Sequence, residues 1–523
     1  MSWRSTRAAG QEGHRNRQVA VVDLGSNSWR LVVFTYSTPP TPWWKLTDEL
    51  YETVRIGAGL AASGRLSYEA IGRGLETLGV FARFCRANHL EAEDIHVVAT
   101  SAIRDAANGE QFLADAQAAT GLTIETLSAQ DEAYYGYVAA VNTTTLTDGV
   151  VLDIGGGSMQ LIHVAGRRQR EAVSFPLGAV RVTEQFLAGD GPAKKKDVTK
   201  LRDHVAETLS GLDWLASSGA RMVGIGGAVR NLAAAAQSAN GALDLGVQGF
   251  VLTAKVLSDF TAELASMSVE ERGMVPGIKP GRGDIILASA IVLDTVVSLG
   301  GFDGIEATEA GLREGVFLAR TLLDGDPPLF DNVREAAVRN LAIQYESDMA
   351  HVQHVAKLSL QMFDSLVSAG LFTPAEGERE MLWAASLLHD VGMTISYDDH
   401  HKHSRYLIES AELPGFDPRE RALIAQITRY HRKGVPKLGI IEAIAHPGDE
   451  ELLDRCAVIL RLAEHLERGR DQSVSEARLD TNGDGVDLHL RSEGDLTLPR
   501  WSVERYGDGE AFERVFDRRL LID

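Results

Sequence analysis

Two short stretches of this chain share an arrangement of side chains suited to phosphate chemistry. In Val21-Val22-Asp23-Leu24-Gly25-Ser26-Asn27-Ser28 and in Val151-Leu152-Asp153-Ile154-Gly155-Gly156-Gly157-Ser158, a β-branched run reaches an aspartate and then small residues and a hydroxyl. A further apolar, strand-like stretch follows each, Trp29 to Thr35 and Met159 to Val164. The pattern reads as strand, tight turn, strand, used twice. Small residues let such a turn present consecutive backbone N–H groups to a phosphate, here from Gly25, Ser26, Asn27 and Ser28 and from Gly155, Gly156, Gly157 and Ser158. An aspartate at the strand end, Asp23 or Asp153, can hold a metal ion or its water. Two facing copies make a clamp for a phosphate chain.

The elements that must position these turns alternate in type. Residues 18–140 begin with strand signals, followed by a helical stretch in which Ile71, Leu75, Leu78 and Ala82 recur after the candidate N-cap Ser67. The runs 95–100 and 122–127 are buried-strand candidates separated by a helix. Residues 141–320 repeat the logic, opening with the Asp153 hairpin and including a strand-turn-helix from Met222 to Arg230. Alternation of this kind predicts an α/β architecture with parallel or mixed sheets, in two pseudo-equivalent lobes with a cleft between them. Thr321 to Pro328 reads as a linker and residues 329–470 as an all-helical domain, in which His351 opens a stripe continued by Val355, Leu358 and Met362. Residues 471–523 read as a small α+β segment. Residues 1–17 carry four arginines and no apolar run, a disordered tail rather than a secretory signal.

At 523 residues the chain is too long for one core, and ~150 residues per domain gives three or four. A hydrophobic fraction of 44% with 24% charged residues allows cores throughout. The net charge of −21 argues against nucleic-acid or anionic-membrane binding. It leaves room for a polyanionic substrate wherever positive charge is concentrated locally or metal ions intervene. No run of ~18 apolar residues predicts a transmembrane helix. Cys85 and Cys456 lie far apart without metal-ligand spacing, which suits a reducing cytoplasm.

Six segments, in order, carry a resemblance. They are Val22 to Ser28, Ala99-Thr100-Ser101-Ala102-Ile103-Arg104-Asp105-Ala106, Leu127-Ser128-Ala129-Gln130-Asp131-Glu132-Ala133, Asp153 to Ser158, Ser174-Phe175-Pro176-Leu177-Gly178-Ala179-Val180-Arg181 and Ala310-Gly311-Leu312-Arg313-Glu314-Gly315. Together they resemble the exopolyphosphatase and guanosine pentaphosphate phosphohydrolase (Ppx/GppA) family of the actin-like superfamily. The resemblance implies two actin-like (ribonuclease H-like) lobes and Mg²⁺-dependent hydrolysis of a phosphoanhydride. The implied substrate is inorganic polyphosphate, cut from its end to release orthophosphate, or alternatively guanosine pentaphosphate. Such a reaction needs held phosphoryl oxygens, neutralised charge and an oriented water. Asp153 and Asp23 can position Mg²⁺, and Arg104 can add a fixed cation or simply pair with Asp105 or another acid. The resemblance implies Glu132 as general base and further metal ligand; the residues alone do not separate it from Asp131.

One position departs from the family pattern. Ser-x-Glu usually continues the second turn, whereas Gln160 stands here, one negative charge fewer, so either a weaker metal affinity or a cation resting on Asp153 and Glu132 is expected. Gly224-Ile225-Gly226-Gly227 resembles the superfamily's nucleotide-base turn but reads better as a close-packed strand-to-helix turn, and Lys194-Lys195-Lys196 as a solvated loop. Rival readings are an ATP-using kinase, which needs an adenine pocket near Gly224 to Gly227, and a catalytically weak polyphosphate or alarmone sensor.

The helical domain carries a second constellation: Asp348-Met349-Ala350-His351, Leu387-Leu388-His389-Asp390-Val391-Gly392, the cluster His400, His401 and His403, and His431. It resembles the HD metal-phosphohydrolase superfamily, which implies a transition-metal site at His351, His389 and Asp390 and, where the superfamily has a late aspartate, Glu464. The competing reading is a set of buried, hydrogen-bonded histidines in an inherited fold that caps the cleft or forms a dimer surface. A homodimer is expected from that fold-level analogy. Asp480 to Gly485 invites a calcium-loop reading that fails, because its twelfth position is Arg491.

Overall fold

The computed structural model of the chain describes residues 16–38, 42–187, 189–239, 245–492, 494–506 and 509–522. The expected tail falls mostly outside them, and Arg17 is already the first residue of a strand. The first sheet is built around β1 (Arg17–Leu24), paired antiparallel with β2 (Trp29–Ser37), which carries β3 (Trp43–Glu52) at the sheet edge. On its other side β1 runs parallel to β4 (Ile95–Ala99), followed by β5 (Ile124–Thr126). The second sheet repeats the scheme around β6 (Gly149–Ile154), with β7 (Met159–Ala165) and β8 (Arg168–Phe175) on the antiparallel side. Its parallel side carries β9 (Met222–Ile225) and then β11 (Gly304–Ala307), with β10 (Val251–Thr253) at the edge. Register fixes the turns: Leu24 faces Trp29 and Ile154 faces Met159, so residues 25–28 and 155–158 are the hairpin ends. The fold is mixed α/β with two actin-like, ribonuclease H-like lobes.

The lobes share a spine. Helix Ala129–Thr143 places Tyr137, Val138 and Val141 against Val21 and Phe34 of the first sheet and against Val151 and Ile162 of the second. Helix Leu312–Phe317 returns onto it, stacking Phe317 on Phe34 with ring centroids 4.1 Å apart. The end of the second block therefore packs on the first lobe's sheet, an arrangement of long range that local periodicity does not encode. Lys195 opens helix Lys195–Leu209, so the lysine run lies at a helix start rather than in a loop.

The third part is helical: Val333–Gln344, Met349–Ser368, Glu378–Leu388, His400–Ser410, Pro418–Arg429 and Asp449–Leu466. A three-stranded sheet follows, β12 (Val474–Asn482), β13 (Gly485–Ser492) and β14 (Arg519–Ile522), whose Ala477, Leu479 and Leu488 share the helices' core. Asn482 pairs with Gly485, so residues 482–485 form a hairpin turn. This part docks on both lobes. Trp44 of β3 donates its amide to Asn340 (2.9 Å), accepts from Gln344 (2.9 Å) and stacks on Phe330. On the other lobe's side, Gly415 N–H donates to the Thr143 carbonyl at 3.0 Å. The buried Asn142 side chain pins the connection, donating to Pro328 and accepting from the Phe330 amide. Among the described residues no helix is long and apolar enough to cross a membrane.

Candidate active site

The two hairpin turns meet in one cleft. A Cβ at Gly157 would stand 2.5 Å from Ser101 Oγ and 2.8 Å from Ser26 Oγ, and one at Gly156 3.0 Å from Ser26 Cβ. Glycine is thus required by the approach of one turn to the other. Ser26 and Ser101 hydroxyls lie 3.1 Å apart beneath the contact. Gly155 departs from expectation: its N–H donates to the Ser158 carbonyl at 2.9 Å, closing the turn, and is not free for a phosphate. The Gly155 and Gly156 carbonyls accept from Ala179 and Val180, which orients the turn. The amides of Gly156, Gly157, Ser26 and Asn27 have no acceptor among the described residues.

Asp23, Asp153 and Glu132 line the cleft floor. Asp131, left equivalent to Glu132 by the sequence, caps its own helix: its carboxylate accepts from Ser128 N–H and Oγ, while Ser128 Oγ accepts from Asp131 N–H. Glu132, one residue on, turns into the cleft and is 8% exposed. Arg104 donates to Glu132 Oε2 at 3.0 Å and to the Leu127 carbonyl at 3.0 Å, and lies 3.4 Å from Asp105, so it pairs with the Asp105 foreseen for it and also with Glu132, which the sequence did not name as its partner. The buried Gln160 donates its amide to Ser158 Oγ at 3.0 Å, where the family's glutamate would have added a fourth carboxylate.

Burial raises all three carboxyls. Asp153 is pushed up to about 7, with Glu132 and Asp23 adding repulsion, and Asp23 to about 6, opposed by the Arg313 and Arg30 charges. Glu132 is also raised, against the pull of Arg104. An oxygen-only donor set carrying this much repelling charge fits a hard divalent cation. The three carboxylates do not bring an oxygen each within 4.8 Å of the others, unlike the histidine clusters below.

Four arginines complete the cleft, and none was foreseen as a site residue: Arg30, Arg230, Arg282 and Arg313. Arg30 stands opposite Asp23 in the β1–β2 register, and Arg230 lies one helical turn beyond Gly226. Arg313 is 6% exposed and its Nη1 makes no hydrogen bond, although Glu49 lies 3.6 Å away. Burial and mutual repulsion lower Arg30 and Arg230 below the usual guanidinium range. Two of them stood inside recognised motifs, but a lone arginine at a helix start carries no sequence signal of its own. The Gly224 to Gly227 turn is close-packed: a Cβ at Gly224 would meet Ile305 at 2.5 Å, Gly226 has φ +103°, and the Arg282 guanidinium covers Gly227.

Doubled β-sheet lobes with facing Asp-Gly-Ser turns give the molecule an actin-like fold. A structure described as an exopolyphosphatase from Cytophaga hutchinsonii shares the fold, at 21% identity and TM-score 0.53, over 58% of this chain and 96% of that one. The model of the Ppx/GppA phosphatase family matches residues 45–323, and that of its domain III matches residues 333–499. The chain belongs to the Ppx/GppA phosphatase family. A relative named guanosine-5'-triphosphate,3'-diphosphate pyrophosphatase, from Vibrio vulnificus, is 27% identical over 477 residues, covering 91% of this chain and 92% of its own.

Away from the cleft, the helical domain brings His351, His389, Asp390 and Glu464 together. His351 and His389 Nε2 lie 3.2 and 3.3 Å from Glu464 Oε2. His400 and His431, members of the same constellation in the sequence but not among the residues expected at the metal site, join the cluster through Asp390. His401 is buried beside it, neither ring nitrogen making a hydrogen bond and Nε2 lying 3.9 Å from Asp399.

Proposed function

We propose that the cleft hydrolyses the terminal phosphoanhydride of inorganic polyphosphate, releasing orthophosphate, with Mg²⁺ as cofactor. The observation that carries this reading is cationic: four arginines line the cleft and Arg282 covers the turn where a nucleotide base would lie. A chain of phosphates satisfies such a wall; a flat apolar base does not. The covered turn equally disfavours the kinase reading.

In this reading the amides of Gly156, Gly157, Ser26 and Asn27 donate to the terminal phosphoryl oxygens, and the guanidinium groups lining the cleft donate to oxygens further along the chain. Glu132, raised by burial and steadied by Arg104, takes a proton from the attacking water. The water oxygen bonds to the terminal phosphorus as the bridging P–O bond breaks, and its electron pair leaves with the shortened chain. Asp153 and Asp23 would hold Mg²⁺, which when bound neutralises phosphoryl charge. Guanosine pentaphosphate is the second reading, favoured by the name of the Vibrio vulnificus relative.

Phosphate release from long polyphosphate and from guanosine pentaphosphate, measured side by side, tests both. The wild type is expected to prefer polyphosphate, and Glu132→Ala to lose at least ~10²-fold in kcat on either substrate. Unchanged rates in that variant would overturn the mechanism, and a preference for guanosine pentaphosphate the choice of substrate. Gln160→Glu is expected to lower the Mg²⁺ concentration needed for half-maximal rate.

A further inference from the structure

We propose that Arg181 and Asp105 are positioning residues that hold the second hairpin turn and the base Glu132 in one shared geometry. The inference rests on the hydrolytic reading of the cleft and extends it to two side chains that do not line it.

The second turn is held from behind. Its Gly155 and Gly156 carbonyls accept from the amides of Ala179 and Val180, at 2.9 Å each, where helix Ala179–Phe186 begins. The Gly157 carbonyl has no backbone donor of this kind among the described residues. It accepts instead from Nε of Arg181 at 3.0 Å. Gly178 allows this close approach, since a Cβ there would stand 2.3 Å from the Gly157 carbonyl carbon. A trans peptide directs its C=O and its N–H to opposite sides. Drawing the Gly157 carbonyl back to Arg181 therefore turns the Ser158 N–H forward, toward the cleft that Ser158 lines. The two preceding N–H groups of the turn are aimed by backbone bonds; this one is aimed by a side chain.

The same guanidinium reaches across to the first lobe. Its Nη2 lies 3.3 Å from Asp105 Oδ2, and Asp105 Oδ1 lies 3.4 Å from Nε of Arg104. Arg104 in turn donates to Glu132 Oε2. Asp105, with one oxygen toward each arginine, is the joint between turn and base. The helix is tied to that lobe a second time, Glu184 Oε1 accepting from the Gly59 amide at 3.1 Å. Arg181 and Glu184 lie behind the turn, beside Gly57 and Leu60, so Arg181 acts on phosphate only through the peptide it holds. The Asp105 side chain is 43% exposed, and an ion pair of that kind adds little to stability. What it supplies is a fixed placement of donor relative to base, which in-line attack requires. A planar guanidinium can serve a carbonyl and a carboxylate at once, whereas an ammonium is a single point charge.

Steady-state phosphate release tests the joint in the full-length protein, on whichever of polyphosphate or guanosine pentaphosphate the wild type turns over faster. Arg181→Met should lose at least ~10-fold in kcat/KM, mostly through KM, because the freed turn holds phosphoryl oxygens less well in every state. Asp105→Asn should lose at least ~5-fold, mostly through kcat, because Arg104 and with it Glu132 lose their brace. The double variant should fall no more than ~2-fold below Arg181→Met, as members of one unit do. Arg181→Lys should recover less than half of the loss, and melting temperatures should move by ~2 °C or less. Losses that multiply in the double variant, or full recovery by lysine, overturn the joint. Should Arg181→Met fail to fold, Asp105→Asn decides alone, and kinetics like the wild type's overturn the proposal. A wild type that turns over neither substrate, or a Glu132→Ala protein with unchanged rates, overturns the hydrolytic reading itself and this proposal with it.

Discussion

Asp23, Asp153 and Glu132 share one small cleft, and their protonation sets how the protein responds to pH. With no cation present, Asp153 keeps its proton up to about 7 and Asp23 up to about 6. In an unfolded chain the same groups release theirs near pH ~4. Between those limits the folded state holds protons that the unfolded state has lost, so the cleft makes stability fall as pH rises through that window. Mg²⁺ must displace those protons to bind. The rise in Tm on adding Mg²⁺ is therefore expected to be small near pH ~5 and to grow toward pH ~8, with Asp153→Asn flattening the dependence. Calorimetry at matched ionic strength checks it; a Mg²⁺ effect independent of pH would remove these carboxylates from the metal site. The pair Arg455 and Glu378 makes a separate prediction. Glu378 is fully buried and receives Arg455 through two bonds of 2.8 and 3.0 Å. Arg455→Met strands that carboxylate and should lower stability by about 3–5 kcal/mol in a denaturant titration, and adding Glu378→Leu should recover most of it.

At the scale of elements, the hairpin turns act as surfaces as well as phosphate holders. Gly157 passes so close to Ser101 and Ser26 that any side chain there must push the turns apart. Gly157→Ala is expected to raise KM and cut kcat/KM by at least tenfold, about 1.4 kcal/mol of transition-state stabilisation, while circular dichroism stays unchanged. Kinetics like the wild type's would show that the turns need not meet. The turns were legible in the sequence because glycine, aspartate and serine at fixed offsets from β-branched runs leave a local signature. The four arginines were not, since they reach the cleft from β2, two helix starts and the short 3₁₀ turn Pro280–Arg282. His400 and His431 were visible as residues but not as partners, because helix packing alone sets them beside Asp390. Gly155 misled for the opposite reason: its type fitted phosphate binding, while the turn's own closure took its amide.

Over the whole molecule, a chain of net charge −21 nevertheless gathers four arginines where the two lobes face each other. The third domain spans that arrangement, gripping β3 through Trp44 and the end of helix Ala129–Thr143 through Gly415. Its tether depends on Asn142, whose amide satisfies both Pro328 and Phe330. Asn142→Ala should leave the lobes folded but make residues 324–332 several-fold more sensitive to limited proteolysis. An unchanged cleavage rate would mean that packing alone holds the segment.

The two cysteines give the molecule a means of reporting on its own opening. Cys85 is 1% exposed in the first lobe and Cys456 0% exposed in the helical domain, and burial pushes the first thiol up to about 11 and the second well above its usual range. Neither reacts until its surroundings come apart. Each half therefore carries one silent thiol, and the order in which a maleimide labels them during gentle denaturation reads out which half lets go first.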